Sequence, residues 1–181
     1  MKRLFLTLCL VCAVAFGAVA SDFATFEVSG KVSKISGWYP FMGYVGDFNF
    51  SSTGKLTTKK GLKIKRNQQG KIVKVTGSDA DFELSTDIKY DSKGRLLELK
   101  VQGMDGSWTE KYEYDAKGRV VKVTKKGWSE DEEFLDVDTF KYNKFDAKGN
   151  WISRTRTTKS LSEPGLKPYV AEETRQISYY K

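Results

Sequence analysis

The 181-residue chain carries Lys or Arg at 31 positions, Asp or Glu at 23, and a formal net charge of +8. It has no histidine, which excludes Ser-His-Asp and Cys-His nucleophile systems, imidazole bases and His-based zinc or iron sites. Its two cysteines, Cys9 and Cys12, both fall within the first 20 residues, so the remainder has no disulfide, thiol nucleophile or thiolate ligand.

Residues 1–20 have the three parts of a secretory leader. Lys2 and Arg3 form the charged start, and Leu4 to Phe16 an apolar run broken only by Thr7. That run is too short for a stable bilayer anchor. Ala18-Val19-Ala20 is a small-x-small cleavage site that leaves Ser21 as the new N-terminus. A signal-peptide helix over 1–20 is therefore expected. Cys12 follows valine, whereas lipobox cysteines usually follow a small residue, so the exported chain is expected to be soluble. Export without disulfides fits a bacterial envelope, which puts the protein in the periplasm or the medium. Residues 21–181 suit a single domain. Losing Lys2 and Arg3 lowers the charge from +8 to +6. Such a balance either favours anionic polymers such as acidic polysaccharide or lipopolysaccharide, or simply solubilises a sheet and guards its edges.

A repeat then organises the chain. Its clearest copies are Tyr90-Asp91-Ser92-Lys93-Gly94-Arg95-Leu96 and Tyr114-Asp115-Ala116-Lys117-Gly118-Arg119-Val120, followed by Phe145-Asp146-Ala147-Lys148-Gly149-Asn150-Trp151. Weaker copies are Phe50-Ser51-Ser52-Thr53-Gly54-Lys55-Leu56 and Arg66-Asn67-Gln68-Gln69-Gly70-Lys71-Ile72, with a degenerate one from Phe26 through Gly30. An Asp that accepts backbone N–H bonds two residues on closes an Asx turn. Two helix-tolerant residues follow, and glycine supplies the left-handed position of a bulged hairpin. Asp91, Asp115 and Asp146 thus read as turn formers, with Gly54, Gly70, Gly94, Gly118 and Gly149 as the turn closers, rather than as catalytic acids or calcium ligands.

The flanks alternate with period two, the strand signature. Phe48/Phe50, Ile88/Tyr90 and Tyr112/Tyr114 point to one face on the way in. Val73/Val75, Leu97/Leu99/Val101 and Val121/Val123 do so on the way out, while Lys74, Glu98 and Lys122 point to the other. No helical apolar stripe follows residue 20. The expected fold is all-β: an antiparallel meander of hairpins with turns near 30, 54, 70, 94, 118 and 149. With no helix to cover its apolar face, the sheet must curl on itself, fold over as a sandwich or pair with another molecule; of these, curling towards a barrel is expected.

The run from Tyr90 to Trp151 resembles the YD repeats of Rhs and teneurin-type proteins, whose unit reads Tyr-Asp-x-x-Gly-Arg-Leu. Small exported Bacteroidetes proteins with a few such repeats are the nearest kind, and Thr174 to Tyr180 resembles their closing strand. The resemblance implies a β-sheet shell or cell-surface module, some members of which bind carbohydrate or partners. The repeats are too few for a shell around a toxin, and no toxin domain is expected after them.

Tryptophans cluster in the loops opposite the Asp-Gly turns. Trp38, Trp108 and Trp128 are expected along one rim, exposed for sugar stacking or a protein contact, or else capping the core. The aromatic stretch 38–48, with Trp38, Tyr39, Phe41 and Tyr44, is the first choice for a binding loop or core plug. Carboxylates gather at Asp79/Asp81/Glu83 and at Glu130-Asp131-Glu132-Glu133 with Asp136 and Asp138. Paired carboxylates can hydrolyse a glycoside, and oxygen-rich loops can hold calcium, but neither cluster has EF-hand order. Basic residues spread along turns on an exported chain argue against nucleic acid. The expectation is a non-enzymatic binding or structural module without metal or cofactor. Its partner would be a polysaccharide or an envelope protein, and the rival reading is a carboxylate-based glycan hydrolase.

Overall fold

The structure, a computed structural model, describes residues 21–37, 47–57, 62–79, 82–130 and 132–181. The leader over 1–20 lies outside them. Among the described residues a 3-10 turn, Phe23–Phe26, precedes twelve strands: β1 (Val32–Ser36), β2 (Phe48–Asn49), β3 (Leu62–Arg66), β4 (Ile72–Asp79), β5 (Phe82–Tyr90), β6 (Leu96–Gln102), β7 (Gly106–Tyr114), β8 (Val120–Ser129), β9 (Glu132–Phe145), β10 (Trp151–Ser160), β11 (Tyr169–Thr174) and β12 (Gln176–Tyr179). The fold is all-β. Strands β3 to β11 form one nine-stranded antiparallel meander in sequence order, and β12, β1 and β2 form a second sheet of three.

The large sheet does not close. Among the described residues β3 and β11 each have one sheet neighbour, which corrects the expectation of a barrel. Closure is unnecessary because the chain's own N-terminal part covers the apolar face. Phe26, Val32, Ile35, Phe48 and Phe50 are buried against Ile72, Leu99, Val101 and Trp151 of the large sheet. The degenerate copy around Gly30 and one of the two weaker copies, that around Gly54, belong to this cover rather than to the meander.

Each strong repeat closes in the same way. The Gly94 N–H donates to Asp91 O, and the Asp91 N–H to Arg95 O, at 2.9 and 2.8 Å. Asp91 Oδ1 accepts from the N–H groups of Lys93 and Arg95. Asp115 and Asp146 repeat the pattern with Lys117 and Arg119, and with Lys148 and Asn150. The glycines that close these turns have φ of +79°, +79° and +81° at Gly94, Gly118 and Gly149, and Gly54 and Gly70 match them at +78° and +75°.

After each turn the register slips by one residue. Lys89 faces Glu98 but Tyr90 faces Leu96, so Leu97 has no partner; Val73 and Val121 occupy the same place one repeat earlier and later. The extra residue bends the strand and strengthens its twist. It also moves the apolar positions. Ile72, Leu96 and Val120 are buried, whereas Leu97 is 45% exposed. The strict alternation expected through Val73, Leu97 and Val121 is therefore corrected, because a bulge resets the pleat's parity.

The recurring geometry of the unit explains its residues. The hydroxyls of Tyr90, Tyr114 and Tyr142 donate to the carbonyls of Ile72, Leu96 and Val120, at 2.8, 2.7 and 2.8 Å. Those carbonyls belong to the strand start of the preceding repeat. The basic residue after each glycine then covers the next tyrosine: Lys71 over Tyr90, Arg95 over Tyr114 and Arg119 over Tyr142. Arg95 and Arg119 are held flat by their own turn aspartates, Asp91 and Asp115, at 2.8 and 2.7 Å through Nε. Aspartate, arginine and the following tyrosine form one chain of contacts that hooks each hairpin to the next. In the third copy Phe145 occupies the tyrosine place, and Tyr142, stacked on it at 5.8 Å, supplies the hydroxyl.

Candidate functional site

Trp38, Tyr39, Phe41 and Tyr44 lie outside the described residues. Trp108 and Trp128 do not share a rim face. Trp108 pairs with Gly127, and its neighbour Ser107 pairs with Trp128, so the two indoles point to opposite sides of the sheet. Trp108 packs on the core, lying over Gly127, where an added Cβ would meet Trp108 Cβ at 2.5 Å. Trp128 is 42% exposed on the outer face. Of the carboxylate clusters, Glu130, Glu132 and Glu133 are exposed around the β8–β9 hairpin, whereas Asp138 is buried. The side chains of Asp79, Asp81, Glu83 and Asp131 lie outside the described residues.

The covered face changes character along the sheet. From β3 to β6 it is apolar, filled by the N-terminal cover. From β7 to β11 it carries charges, and a cavity of about 160 Å³ opens between them and the segment at Thr25 and Glu27. Across it runs a chain of alternating sign. Glu27 pairs with Arg154 at 3.1 Å, Arg154 with Glu173 at 2.6 Å and Glu173 with Arg156 at 2.9 Å. Arg156 reaches Asp138 at 3.6 Å, and Asp138 takes Lys125 at 2.9 Å. Burial works against the charge of Arg154, but Glu27 and Glu173 outweigh it and raise its pKa. Buried charges need such pairing, since their desolvation is otherwise uncompensated.

Glu110 lies at the boundary of the two regions, opposite Leu99 on β6 and Lys125 on β8. It is 6% exposed. Its carboxylate accepts from Trp108 Nε1 at 3.1 Å and from the Tyr112 hydroxyl at 2.7 Å. Burial, and then the Glu110 charge, push the Tyr112 pKa well above its ordinary value.

Two buried clamps tie the cover to the sheet. Arg175, in the link between β11 and β12, donates from Nε to Trp151 O at 2.8 Å and from Nη1 and Nη2 to Phe26 O and Glu27 O at 2.8 and 2.7 Å. Its guanidinium lies 3.7 Å from the centre of the Trp151 ring, and burial lowers its pKa to about 9. At the other end, Asp22 takes both Nη atoms of Arg66, at 2.6 and 2.8 Å, and the Leu56 N–H at 2.6 Å.

Sequence reading missed Glu27, Glu110, Arg154, Glu173 and Arg175 and had Asp138 only as part of a solvated run. One signal was present. Asp138 stands at period two with Phe140 and Tyr142 on β9, and a charged residue in phase with aromatic ones points inward. Arg154 and Arg156 pair with Tyr142 and Phe140, but the bulge after Trp151 puts them out of phase with the tryptophan, so their own strand gave no such signal.

The outer face is different. One row across six strands reads Lys65, Lys74, Asp87, Lys100, Thr109, Lys126. Lys65 and Lys74 stand directly opposite each other, which is unfavourable for like charges. Lys74 reaches Asp87 at 3.5 Å. Trp128 follows Lys126 on the same face. No protein-family model matches the chain, and no curated protein is similar to it.

Proposed function

We propose that the chain is an exported, non-enzymatic module built from YD-type repeats, and that it binds an acidic polysaccharide through its outer face. The carrying observation is the row Lys65, Lys74, Lys100 and Lys126, with exposed Trp128 at one end. At about 4.8 Å per strand the row spans roughly 24 Å, the length of several sugar units in an extended chain. Spaced lysines suit uronate or sulfate groups, and an exposed indole suits the face of a sugar ring. Export rests on the leader sequence, and the YD assignment on the repeat motif. The exported protein is expected to begin at Ser21, which intact mass reads directly.

The test is titration with alginate, a polyuronate, and with neutral dextran of similar length. Alginate binds and weakens steeply with salt, dextran does not bind, and K100E or K126E weakens alginate at least tenfold. Equal binding of both polymers, or charge reversals without effect, refute the reading.

One observation favours the rival hydrolase, namely Glu110 and Asp138 lining a single cavity. A glycosidase needs one carboxyl that holds a proton to give to the leaving oxygen. Asp138 here faces two cations, and Glu110 faces two hydrogen-bond donors. Both carboxylates are thus already engaged by groups of the protein itself. New reducing ends after incubation with the glycan would decide for the enzyme.

A further inference from the structure

Every carboxylate in the ion-pair chain on the covered face has a cation in contact, and the carboxylate beside one end of it has none. Glu27, Glu173 and Asp138 are balanced by Arg154, Arg156 and Lys125. Glu110 is not. Its two hydrogen-bond donors, Trp108 and Tyr112, are both neutral, and among the described residues no cation stands within ion-pair distance of it. Lys125, directly across on β8, is turned to Asp138 instead. Asp136, on the far side of Lys125 in the same row, adds to the negative balance. A carboxylate buried to this degree without a counter-charge is costly, and the cavity opens beside it.

We propose that this end of the cavity is a binding site for a small organic ammonium, an amino sugar or a short alkylamine. The ammonium pairs with Glu110, and the carbon skeleton lies against Tyr112 and Val123, which line the same space. The volume of about 160 Å³ is below the ~300–1,000 Å³ of drug-sized sites, which restricts the occupant to one sugar ring or less. A metal ion fits poorly. Hard cations need several oxygen ligands, whereas the two donors already occupy one lone pair on each Glu110 oxygen. No cluster of three candidate ligands exists among the described residues. A neutral sugar would leave the charge unmatched. The site lies on the opposite side of the sheet from the lysine row, so it stands or falls independently of polysaccharide binding.

The test is NMR and calorimetric titration of the protein with glucosamine, propylammonium and N-acetylglucosamine, whose acetyl group removes the charge. The Trp108 indole N–H donates to Glu110, so its resonance, identified with W108F, reports on the carboxylate directly. Both amines should bind saturably and shift that signal, and the acetylated sugar should bind at least tenfold more weakly. E110Q should weaken glucosamine tenfold or more, whereas E113Q, on the outer face of the same strand, should leave it unchanged. If E110Q does not fold, the wild-type discrimination and the indole shift decide. No saturable amine binding, equal binding of the acetylated sugar, or an indole signal that does not move overturns the proposal, as does a folded E110Q that binds like wild type.

Discussion

Replacing Arg175 with alanine removes the clamp between the N-terminal cover and the C-terminal end of the large sheet. Three carbonyls lose their donor: Trp151 O, Phe26 O and Glu27 O. Hydrogen bonds to a charged donor contribute about 1.5–3 kcal/mol each, and stacking on a desolvated tryptophan adds about 1–2 kcal/mol. Against that sum stands the desolvation of a guanidinium that is 3% exposed, which the alanine variant no longer incurs. The net expectation is a loss of about 3–5 kcal/mol, the range for breaking a buried charged contact. Lysine at 175 keeps the charge but not the planar fork, so it can serve one or two of the carbonyls at most; R175K should lose about 2–3 kcal/mol. The assay is urea unfolding followed by tryptophan fluorescence, with hydrogen exchange read over residues 23–36. R175A should lower the midpoint and open those amides ahead of the β6–β8 strands. A loss under about 1 kcal/mol, or no preferential opening of 23–36, would show that the cover is held by apolar packing alone.

The tyrosine hooks make a graded series: Y114F removes one hydroxyl-to-carbonyl bond and should cost about 1 kcal/mol. Y90F should cost more in the same denaturant assay, since its hydroxyl also meets Thr25. At Gly127 a Cβ would lie 2.2 Å from Ser107 O and 2.5 Å from Trp108 Cβ, so G127A should lose about 2–3 kcal/mol by overpacking and blue-shift the Trp108 emission. G118A meets nothing within 4 Å, so its left-handed φ alone should cost about 1 kcal/mol. The backbone N–H of Arg119, and then its side chain, lower the Asp115 pKa. At Asp91 burial opposes the same effect but is outweighed by the Arg95 bonds. A carboxylate with a lower pKa folded than unfolded stabilises above the unfolded value, about 3.9. That stability is lost as pH falls through the folded value. Thermal stability should therefore drop below about pH 4, and D115N should flatten that drop; an unchanged slope refutes the assignment.

The hairpin turns were legible from sequence because their chemistry is local. Asp91, Gly94 and Arg95 satisfy one another within five residues, and the same letters return at Asp115, Gly118 and Arg119. The tyrosine faces were legible for the same reason, being set by the residue just before the turn. The bulges at Val73, Leu97 and Val121 were not. All three are apolar, so alternation carried straight through them, and only the pairing partner across the sheet reveals the slip. The polar half of the covered face was hidden by distance. Glu27 meets Arg154, and Phe26 meets Arg175, across most of the chain. A charged residue inside a strand pattern looks solvated until its counter-ion is known. The tryptophans misled because rims are counted by loops but faces by parity: Trp108 and Trp128 come from the same end of neighbouring strands with opposite parity.

Strand β1 pairs with β12, from Val32 against Tyr179 to Ser36 against Gln176, and the Tyr180 N–H closes on Lys31 O at 2.8 Å. The hairpins of the meander are neighbours in sequence and zip up in order, each a short loop closure. The clasp is the reverse, joining β1 to β12, and among the described strands it is the pairing of greatest sequence separation. Until the final dozen residues arrive, the phenylalanines of the cover have neither their third strand nor Arg175 to hold them down. A chain cut just before residue 175 would therefore keep its hairpins yet leave its greasiest surface bare, inviting aggregation where the intact chain locks shut.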